Sequence, residues 1–550
     1  MSKKAQAVAL LTELIKRLEL VEEKDFRVRA YERLLQIIES LPTHAWENEQ
    51  LFLTNVTQYR GVGKGLLDTV RHLYAGETPP LLSTLREEVP DSLLELYRLP
   101  RLGPKRIRQL WKEAGVISVD GLAQALERGK IQALAGWGDT LIKQVKESIA
   151  FYRNQRNSLL YREARKVWED AMSLLREAEL FPVPIGAFRR AHPLLSPPLR
   201  GVLPASQAPA IQRLGHGISS TGIVQITPLV EIEFWEDSTF GEKLALYDFH
   251  ENGNSAAYEL LQKLVHESGK YKPGISEEDF FYLAGLPYIL PAWRDWGDVV
   301  LLAREGKIPP LIEAKNFQGT VHVHTTYSDG RHSLKEMAES ARRRGWKWLG
   351  IADHSQRAHY ARGLPPEKLY EQIQEIEKLN ANYAGEFYLL KGIEADILPD
   401  GRLDYDEEVW KRLDFIVASI HEKLSMTKEE ATNRILKAIE NPYVKVLGHW
   451  TGRLLRNRPG YPIEEEKILE ACAEKGVAIE FNANPYRMEI DWYWIRKASE
   501  MGVNIILTTD AHSIEELDYW IDGLEVLQKG MLNPNLLLNF SQEPPFALKR

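Results

Sequence analysis

Beyond residue 317, short apolar runs alternate with longer stretches that carry apolar residues at helical spacing. Runs near 320–324, 348–352, 387–393, 414–420, 444–448, 477–482 and 503–508 have the length and composition of strands. Helices are expected between them, over 333–345, 366–384, 427–440, 463–475 and 490–501. Seven strands alternating with helices predict parallel strands joined by crossovers, closed or nearly closed into a barrel. In such barrels the reactive groups sit where strands end and loops begin.

The pattern of the front half is different. Leu10, Leu11, Leu14, Ile15 and Leu18 form one helical stripe, and Leu34, Leu35, Ile37, Ile38 and Leu41 a second, which Pro42 should stop. Residues 151–180 read as one long charged helix with a Leu/Ala/Trp face. Residues 193–210, rich in Pro, Leu and Ser, read as an irregular connection, and 223–234 as strand. Residues 240–305 suggest a small helical region with a hairpin, and 306–310 (Gly-Lys-Ile-Pro-Pro) a linker.

Three similar units punctuate this half: Tyr59-Arg-Gly61-Val-Gly63-Lys64, Leu99-Pro-Arg101-Leu-Gly103-Pro-Lys105-Arg106 and Leu134-Ala-Gly136-Trp-Gly138. Each places a short glycine-containing loop before a helix. Glycine allows a tight turn and close backbone approach, and free amides at a helix start can bind phosphate. This is the helix-hairpin-helix pattern, which grips a nucleic-acid backbone without reading bases. The tandem repeat and the cations Arg101, Lys105, Arg106, Arg108 and Lys112 favour binding over plain turns. In the second unit Arg101 stands where the pattern has glycine.

Composition narrows the classes. At 550 residues the chain is too long for one core, and two to four domains are expected. No apolar run approaches a membrane span, and the start Met-Ser-Lys-Lys lacks an apolar signal segment. The single cysteine, Cys472, excludes an intrachain disulfide framework and fits a reducing cytoplasm. A net charge of −8 argues against indiscriminate nucleic-acid binding by the whole surface but leaves room for a basic patch. A cytoplasmic monomer without a membrane partner is expected.

The chemistry gathers at the predicted strand ends. In Thr320-Val-His322-Val-His324, valines and histidines alternate, so both imidazoles should point to one side of a strand. Asp329 follows in a Ser-Asp-Gly turn. His354, Glu394, His421 and His449 each close a further strand, and Asp510 and His512 together close the last. In a barrel these nine side chains would converge on one rim, where burying so many titratable groups without a metal would be costly. Six imidazoles and three carboxylates suit Zn²⁺, Mn²⁺ or Fe²⁺ better than Mg²⁺ or Ca²⁺, and fit two or three ions. Such clusters hydrolyse phosphoesters. Arg453 could hold a phosphate as a bidentate fork, and Asn482 ends a strand at the same rim. A supporting role for these two stands beside substrate contact.

The motifs His322-x-His324-Thr-x-x-Ser-Asp329-Gly, Asp353-His354-Ser, Gly392-Ile-Glu394, Ser419-Ile-His421, Gly448-His449-x-x-Gly-Arg453-Leu-Leu and Asp510-Ala-His512-Ser resemble the polymerase and histidinol phosphatase (PHP) domain, in the version fused to bacterial family X DNA polymerases. The resemblance implies a distorted (βα)7 barrel, a trinuclear site with these nine ligands, and metal-dependent, often Mn²⁺-dependent, 3′–5′ exonuclease or phosphodiesterase activity. Trp450 departs from the usual proline.

The front half resembles the same family. Residues 25–42 and the hairpin units look like its 8-kDa and fingers regions, and Gly186-Ala-Phe-Arg189-Arg190 like the nucleotide motif of its palm. Ala187 and Ala191 replace a serine and a glycine there. The family's Asp-x-Asp pair is missing, since no aspartate lies between 171 and 236, and Glu231 stands at the third carboxylate. The resemblance implies a multidomain chain. Residues 1–80 would be an 8-kDa-like domain and 81–152 fingers-like, together an all-α helix-hairpin-helix region. Residues 153–240 would be a degenerate α+β nucleotidyltransferase-like palm, 241–310 thumb-like, and 317–550 the α/β PHP domain. Two-metal nucleotidyl transfer needs the missing carboxylates, so the polymerase site is expected to be inactive. The expected function is DNA-end processing by the PHP domain, with DNA held by its backbone. The alternatives are a small-molecule phosphatase of the histidinol-phosphate type, a DNA-binding scaffold with a dormant site, and a still active repair polymerase.

Overall fold

The computed structural model of the chain describes residues 3–21, 25–41, 43–59 and 62–547. It divides into two compact units, Met1–Arg156 with Arg456–Arg458, and Asn157–Leu455 with Pro459–Arg550. Among the described residues no helix is long and apolar enough to cross a membrane.

The first unit is helical. Helices Lys3–Val21 and Asp25–Ser40 bury Leu11, Leu14, Ile15 and Leu18 in one cluster with Leu34, Ile37 and Ile38, joined by Leu41 just after the second helix, while Leu10 and Leu35 sit at the edge. Pro42, the expected stop, and Gly61 of the first hairpin unit lie outside the described residues. Helices Lys64–Ala75, Pro104–Ala114 and Asp139–Gln155 start immediately after Gly63, Gly103 and Gly138. None of these caps has a side-chain hydrogen bond, so the first-turn amides are not used by a capping group.

The second unit opens with a smaller α+β body. Here the long helix expected over 151–180 is broken. The helix from Asp139 ends at Gln155, Leu159–Leu160 pairs with Leu194–Leu195, and a new helix runs Tyr161–Ser173. Glu163 accepts from the Leu160 amide at 3.0 Å and fixes the restart. The supposed connection 193–210 holds strand Leu199–Pro204, which is central in a four-stranded sheet. It runs parallel to Val230–Trp235 and antiparallel to Val183–Ile185, with Ile223–Thr227 on the far edge. The prolines that suggested irregularity flank this strand and leave its interior donors free. Residues 240–305 are helical and contain no strand among those described, so the expected hairpin is absent. Its turn-like breaks are helix caps instead: Asn254 caps Ser255–Glu267 and Ser276 caps Glu277–Leu283.

Strands Gly319–Val323, Trp348–Ile351, Tyr388–Asp396, Phe415–Ser419, Val444–Leu447, Ala478–Asn482 and Ile505–Thr508 form a seven-stranded parallel sheet in sequential order. The first and last strands meet through a Val323–Ala511 bridge and a 2.7 Å bond from the Thr320 hydroxyl to the Leu507 carbonyl, which nearly closes a barrel. Both faces of each strand are buried, which explains the near-continuous apolar runs. Val321, Trp348, Leu390, Phe415, Val417, Val446 and Ile506 share one apolar cluster. Gly392 is required beside it, because a Cβ there would lie 2.1 Å from the Phe415 ring.

Candidate metal centre

His322 does not follow the simple alternation of its strand. Its φ is +61°, and the register with the next strand slips between Thr320 and Val323. This kink sets the two imidazoles 5.2 Å apart, centroid to centroid. The expected convergence holds, but backbone distortion produces it and a regular pleat does not.

All nine side chains come together. The His322, His324, Asp329, His354, Glu394, His421, His449, Asp510 and His512 donors form four overlapping groups: His324–Asp329–His354–His512, His322–His324–Asp510, His322–Glu394–His449 and His354–Glu394–His421. Glu394 is shared by two of them. Its oxygens lie 2.9 Å from His449 Nε2 and from His354 Nδ1, 3.1 Å from His421 Nε2 and 3.3 Å from His322 Nε2. Asp510 lies 3.2 Å from His324 Nε2, and Asp329 3.4 Å from His512 Nε2. His322 Nε2, both His324 nitrogens and Glu394 Oε2 are buried without a hydrogen-bond partner. Orphaned donor atoms in this number, all facing one centre, fit divalent cations bound by nitrogen and oxygen.

Charge follows this crowding. Burial opposes protonation of His421, but Glu394 and Asp396 outweigh it and raise the imidazole to about 10. Burial is likewise overcome at His512, where Asp329 and Asp510 raise it to about 9, and at His322, held well above the usual range by Glu480, Glu394 and Asp510. At His324 burial wins, aided by His512 and His354, and the imidazole falls to about 4.

Three further carboxylates aim the imidazoles and their loops; the sequence motifs included Asp353 without a role, and Glu480 and Asp396 had not been singled out. Glu480 bonds His322 Nδ1 and accepts from the Thr508 hydroxyl at 2.6 Å and the His449 amide at 2.5 Å. Asp396 bonds His421 Nδ1 at 2.5 Å. Asp353 accepts from the Thr325 amide at 2.8 Å, the Ser328 amide at 3.1 Å and Gln372 at 2.6 Å, pinning the turn before Asp329. A carboxylate behind an imidazole fixes its tautomer and orientation. The available signal was a charged residue inside an otherwise apolar buried strand, as in Val477-Ala-Ile-Glu480-Phe.

Arg453 is not placed as a phosphate fork. Its Nε bonds the Arg487 carbonyl at 2.9 Å, Nη1 bonds Asp491 at 2.9 Å and Nη2 bonds the Met488 carbonyl, so its donors hold the 487–491 loop. The guanidinium at the cluster is Arg487, whose Nε bonds Asp510 at 3.1 Å and whose buried Nη1 makes no hydrogen bond but lies 3.7 Å from the buried Glu489 carboxylate. Asn482 is buried between Glu480 and Asp510, 3.2 Å from each, with its carbonyl oxygen taken by the Asn484 amide at 3.0 Å.

In the smaller body, Gly186 takes φ +73° and its amide bonds Asp248 at 3.3 Å. Arg189 pairs with Glu277 at 2.5 Å. Arg190 pairs with Asp248 at 3.2 Å, Glu251 at 2.6 Å and Asp295 at 3.0 Å. Glu231 is half-buried on its strand, opposite Arg200 and Gln225. In the helical unit Gly103, Lys105, Arg106, Gly136 and Gly138 are exposed. Only the backbone of Lys64 is described, at the first position of its helix. Arg101 takes φ +74°, much as Gly136 takes +81°, so the second loop keeps the turn despite lacking the glycine. Gln109 bonds the Ala135 carbonyl at 3.2 Å and accepts from Trp137 Nε1 at 3.0 Å, which ties the second and third loops together.

Residues 320–484 match the PHP domain family. Over 564 aligned positions, 98% of this chain and 97% of the relative, the chain is 30% identical to the DNA polymerase/3′-5′ exonuclease PolX of Bacillus subtilis (strain 168). A probable phosphatase of Thermoanaerobacter sp. (strain X514) is 32% identical over 233 residues, 40% of this chain and 88% of the relative. Among solved structures, histidinol phosphate phosphatase of Lactococcus lactis, complexed with zinc, L-histidinol and phosphate, aligns with a TM-score of 0.30 and 19% identity, covering 39% of this chain and 94% of that one.

Proposed function

The chain belongs to the PolX family, bacterial family X DNA polymerases with a C-terminal PHP domain, and from that premise we propose that its barrel hydrolyses phosphodiesters at DNA 3′ ends while its polymerase site is inactive. One observation carries the reading: nine donor side chains converge in four overlapping groups, with Glu394 common to two. His322, His324, Asp329, His354, Glu394, His421, His449, Asp510 and His512 would hold two or three divalent ions, Mn²⁺, Zn²⁺ or Fe²⁺. Such ions supply Lewis acidity toward a phosphoryl oxygen and activation of water. The chain's own groups do the rest. Glu480 and Asp396 keep the donor nitrogens of His322 and His421 aimed inward. Arg487, held by Asp510 at Nε and 3.7 Å from Glu489 at Nη1, is the guanidinium at the cluster and the one suited to a non-bridging phosphate oxygen, and Arg453 and Asn482 hold its surroundings.

Inactivity of the polymerase site rests on charge. The motif Gly186–Arg190 would normally receive a triphosphate, yet Asp248, Glu251 and Glu277 already engage its amide and guanidinium groups. A Cβ on Gly186 would lie 2.9 Å from Glu251, so a carboxylate already occupies the approach to the loop. With no aspartate between 171 and 236, the body lacks the carboxylates that two-metal transfer requires. The loops at Gly63, Gly103 and Gly138, with Lys105 and Arg106 nearby, would hold DNA through its backbone without reading sequence.

The test is to give the purified chain Mn²⁺ with a labelled primer or a panel of phosphomonoesters. Stepwise shortening from the 3′ end is expected. Release of phosphate from monoesters alone would replace this reading with a small-molecule phosphatase. With dNTPs and a gapped template no extension is expected, and extension would overturn the inactive-polymerase part.

A further inference from the structure

An exposed aromatic ring stands beside the cluster. Tyr360 is 70% exposed, and its ring centroid lies 5.9 Å from His354 and 6.3 Å from His421, edge-on to both. Among the described residues nothing hydrogen-bonds its hydroxyl. A lone exposed tyrosine is ordinary, but this one is presented by a pinned loop. Ala358 and Ala361, on either side of the turn, are fully buried, while His359, Tyr360 and Arg362 face solvent. The Leu364 amide bonds the His354 carbonyl at 2.8 Å, and the Gly363 amide bonds the Ala358 carbonyl at 3.0 Å. Gly363 is obligatory there, since a Cβ would fall 1.8 Å from the Ser355 carbonyl oxygen. On the near side, the Arg357 amide and the Gln356 amide group bond Asp404 at 2.9 and 2.6 Å. The loop is therefore tied at both ends, and its exposed positions read Arg357, His359, Tyr360, Arg362.

We propose that this loop is a nucleobase platform: Tyr360 stacks on the base of the 3′-terminal nucleotide of single-stranded DNA, seating its phosphodiester at the metal cluster. Aromatic rings interleaved with cations along a groove are how proteins hold single strands without sequence preference, since every base has a stacking face. Arg362, exposed on the same loop, is the cation available to the backbone of the preceding nucleotide, while Arg357 pairs with Glu422 at 3.3 Å. The inference rests on the phosphodiesterase reading and deepens it, because a small phosphomonoester without a base has no use for such a platform.

The experiment compares two single-stranded oligonucleotides with Mn²⁺: one with an ordinary 3′-terminal nucleotide, and one whose 3′ residue lacks its base. The wild-type chain should cleave the first with kcat/KM about tenfold higher, the size of one stacked base. Tyr360→Ala should abolish that preference at unaltered metal content, and Tyr360→Phe should retain it. A preference that survives Tyr360→Ala, or a wild-type chain that cleaves both substrates equally, overturns the platform while leaving the phosphodiesterase reading intact. A wild-type chain that cleaves neither overturns both.

Discussion

Glu394 faces four imidazoles within 3.3 Å, and Asp510 and Asp329 face others, so protons and metal ions compete for the same nitrogens. The sign of that competition follows from the shifts. His421, raised to about 10, and His512, raised to about 9, carry protons at pH 7 in the metal-free chain, as does His322. His324, lowered to about 4, does not. Adding Zn²⁺ or Mn²⁺ to the stripped protein at pH 7 should therefore release about three protons, and affinity should climb with pH through 9–10. A pH indicator in weak buffer measures this, and metal binding without proton release would contradict the assignment of these imidazoles. Arg487 and Arg453 make a second test. Arg487→Ala should lower kcat/KM on an oligonucleotide about 100-fold with metal content retained. Arg487→Lys should not restore it, because a point charge does not reproduce the fork. Arg453→Ala, which only frees the 487–491 loop, should cost about tenfold. An effect of Arg453→Ala larger than that of Arg487→Ala would restore the fork to Arg453.

Single elements carry their own consequences. The hairpin loop at Arg101 makes with an arginine the left-handed turn that Gly136 makes with a glycine. Arg106 Nη1 supports it from inside by bonding the Arg101 carbonyl at 2.8 Å. Arg101→Gly should raise stability to urea by about 1 kcal/mol with no change in slope, because a non-glycine residue pays strain in that region. Lys105→Ala should leave stability alone and reduce the slope of log affinity against log salt for duplex DNA by about one. Equal salt slopes for the wild type and Lys105→Ala would remove this loop from the DNA contact. The barrel strands were legible to within a few residues because burial on both faces leaves uninterrupted apolar runs such as 415–418. The strand Leu199–Pro204 was not, because Pro197 and Pro198 precede it and mask its apolar interior. The break at 156–158 was also hidden, since Glu163 restarts the helix through a capping contact that periodicity does not record.

Within the second unit the smaller body and the barrel are joined by buried polar groups. Lys529, fully buried near the end of helix Tyr519–Lys529, bonds the Arg190 carbonyl at 3.2 Å and pairs with Asp295. Trp293 and Trp296 bond the Gln528 and Lys529 carbonyls at 2.7 and 2.8 Å, and Arg162 pairs with Asp522 at 2.5 Å. The Gly186–Arg190 segment is thus part of the seam that carries the barrel. Lys529→Ala removes one partner of a buried pair and should destabilise this unit by about 3 kcal/mol in one calorimetric transition. Separate unfolding of the sheet body and barrel in the wild type would refute the shared seam. By itself the amino-acid sequence determined the alternation of strands and helices, the nine donors in and after the strand ends and the absence of aspartate between 171 and 236, because periodicity and residue type are local properties. Only the tertiary structure decided that His322 reaches the cluster through a kinked strand, that Glu480 and Asp396 stand behind the imidazoles, and that Arg487 faces the site while Arg453 holds its loop. Those outcomes depend on where distant side chains meet across a closed sheet, and the spacing along one strand does not contain that distance.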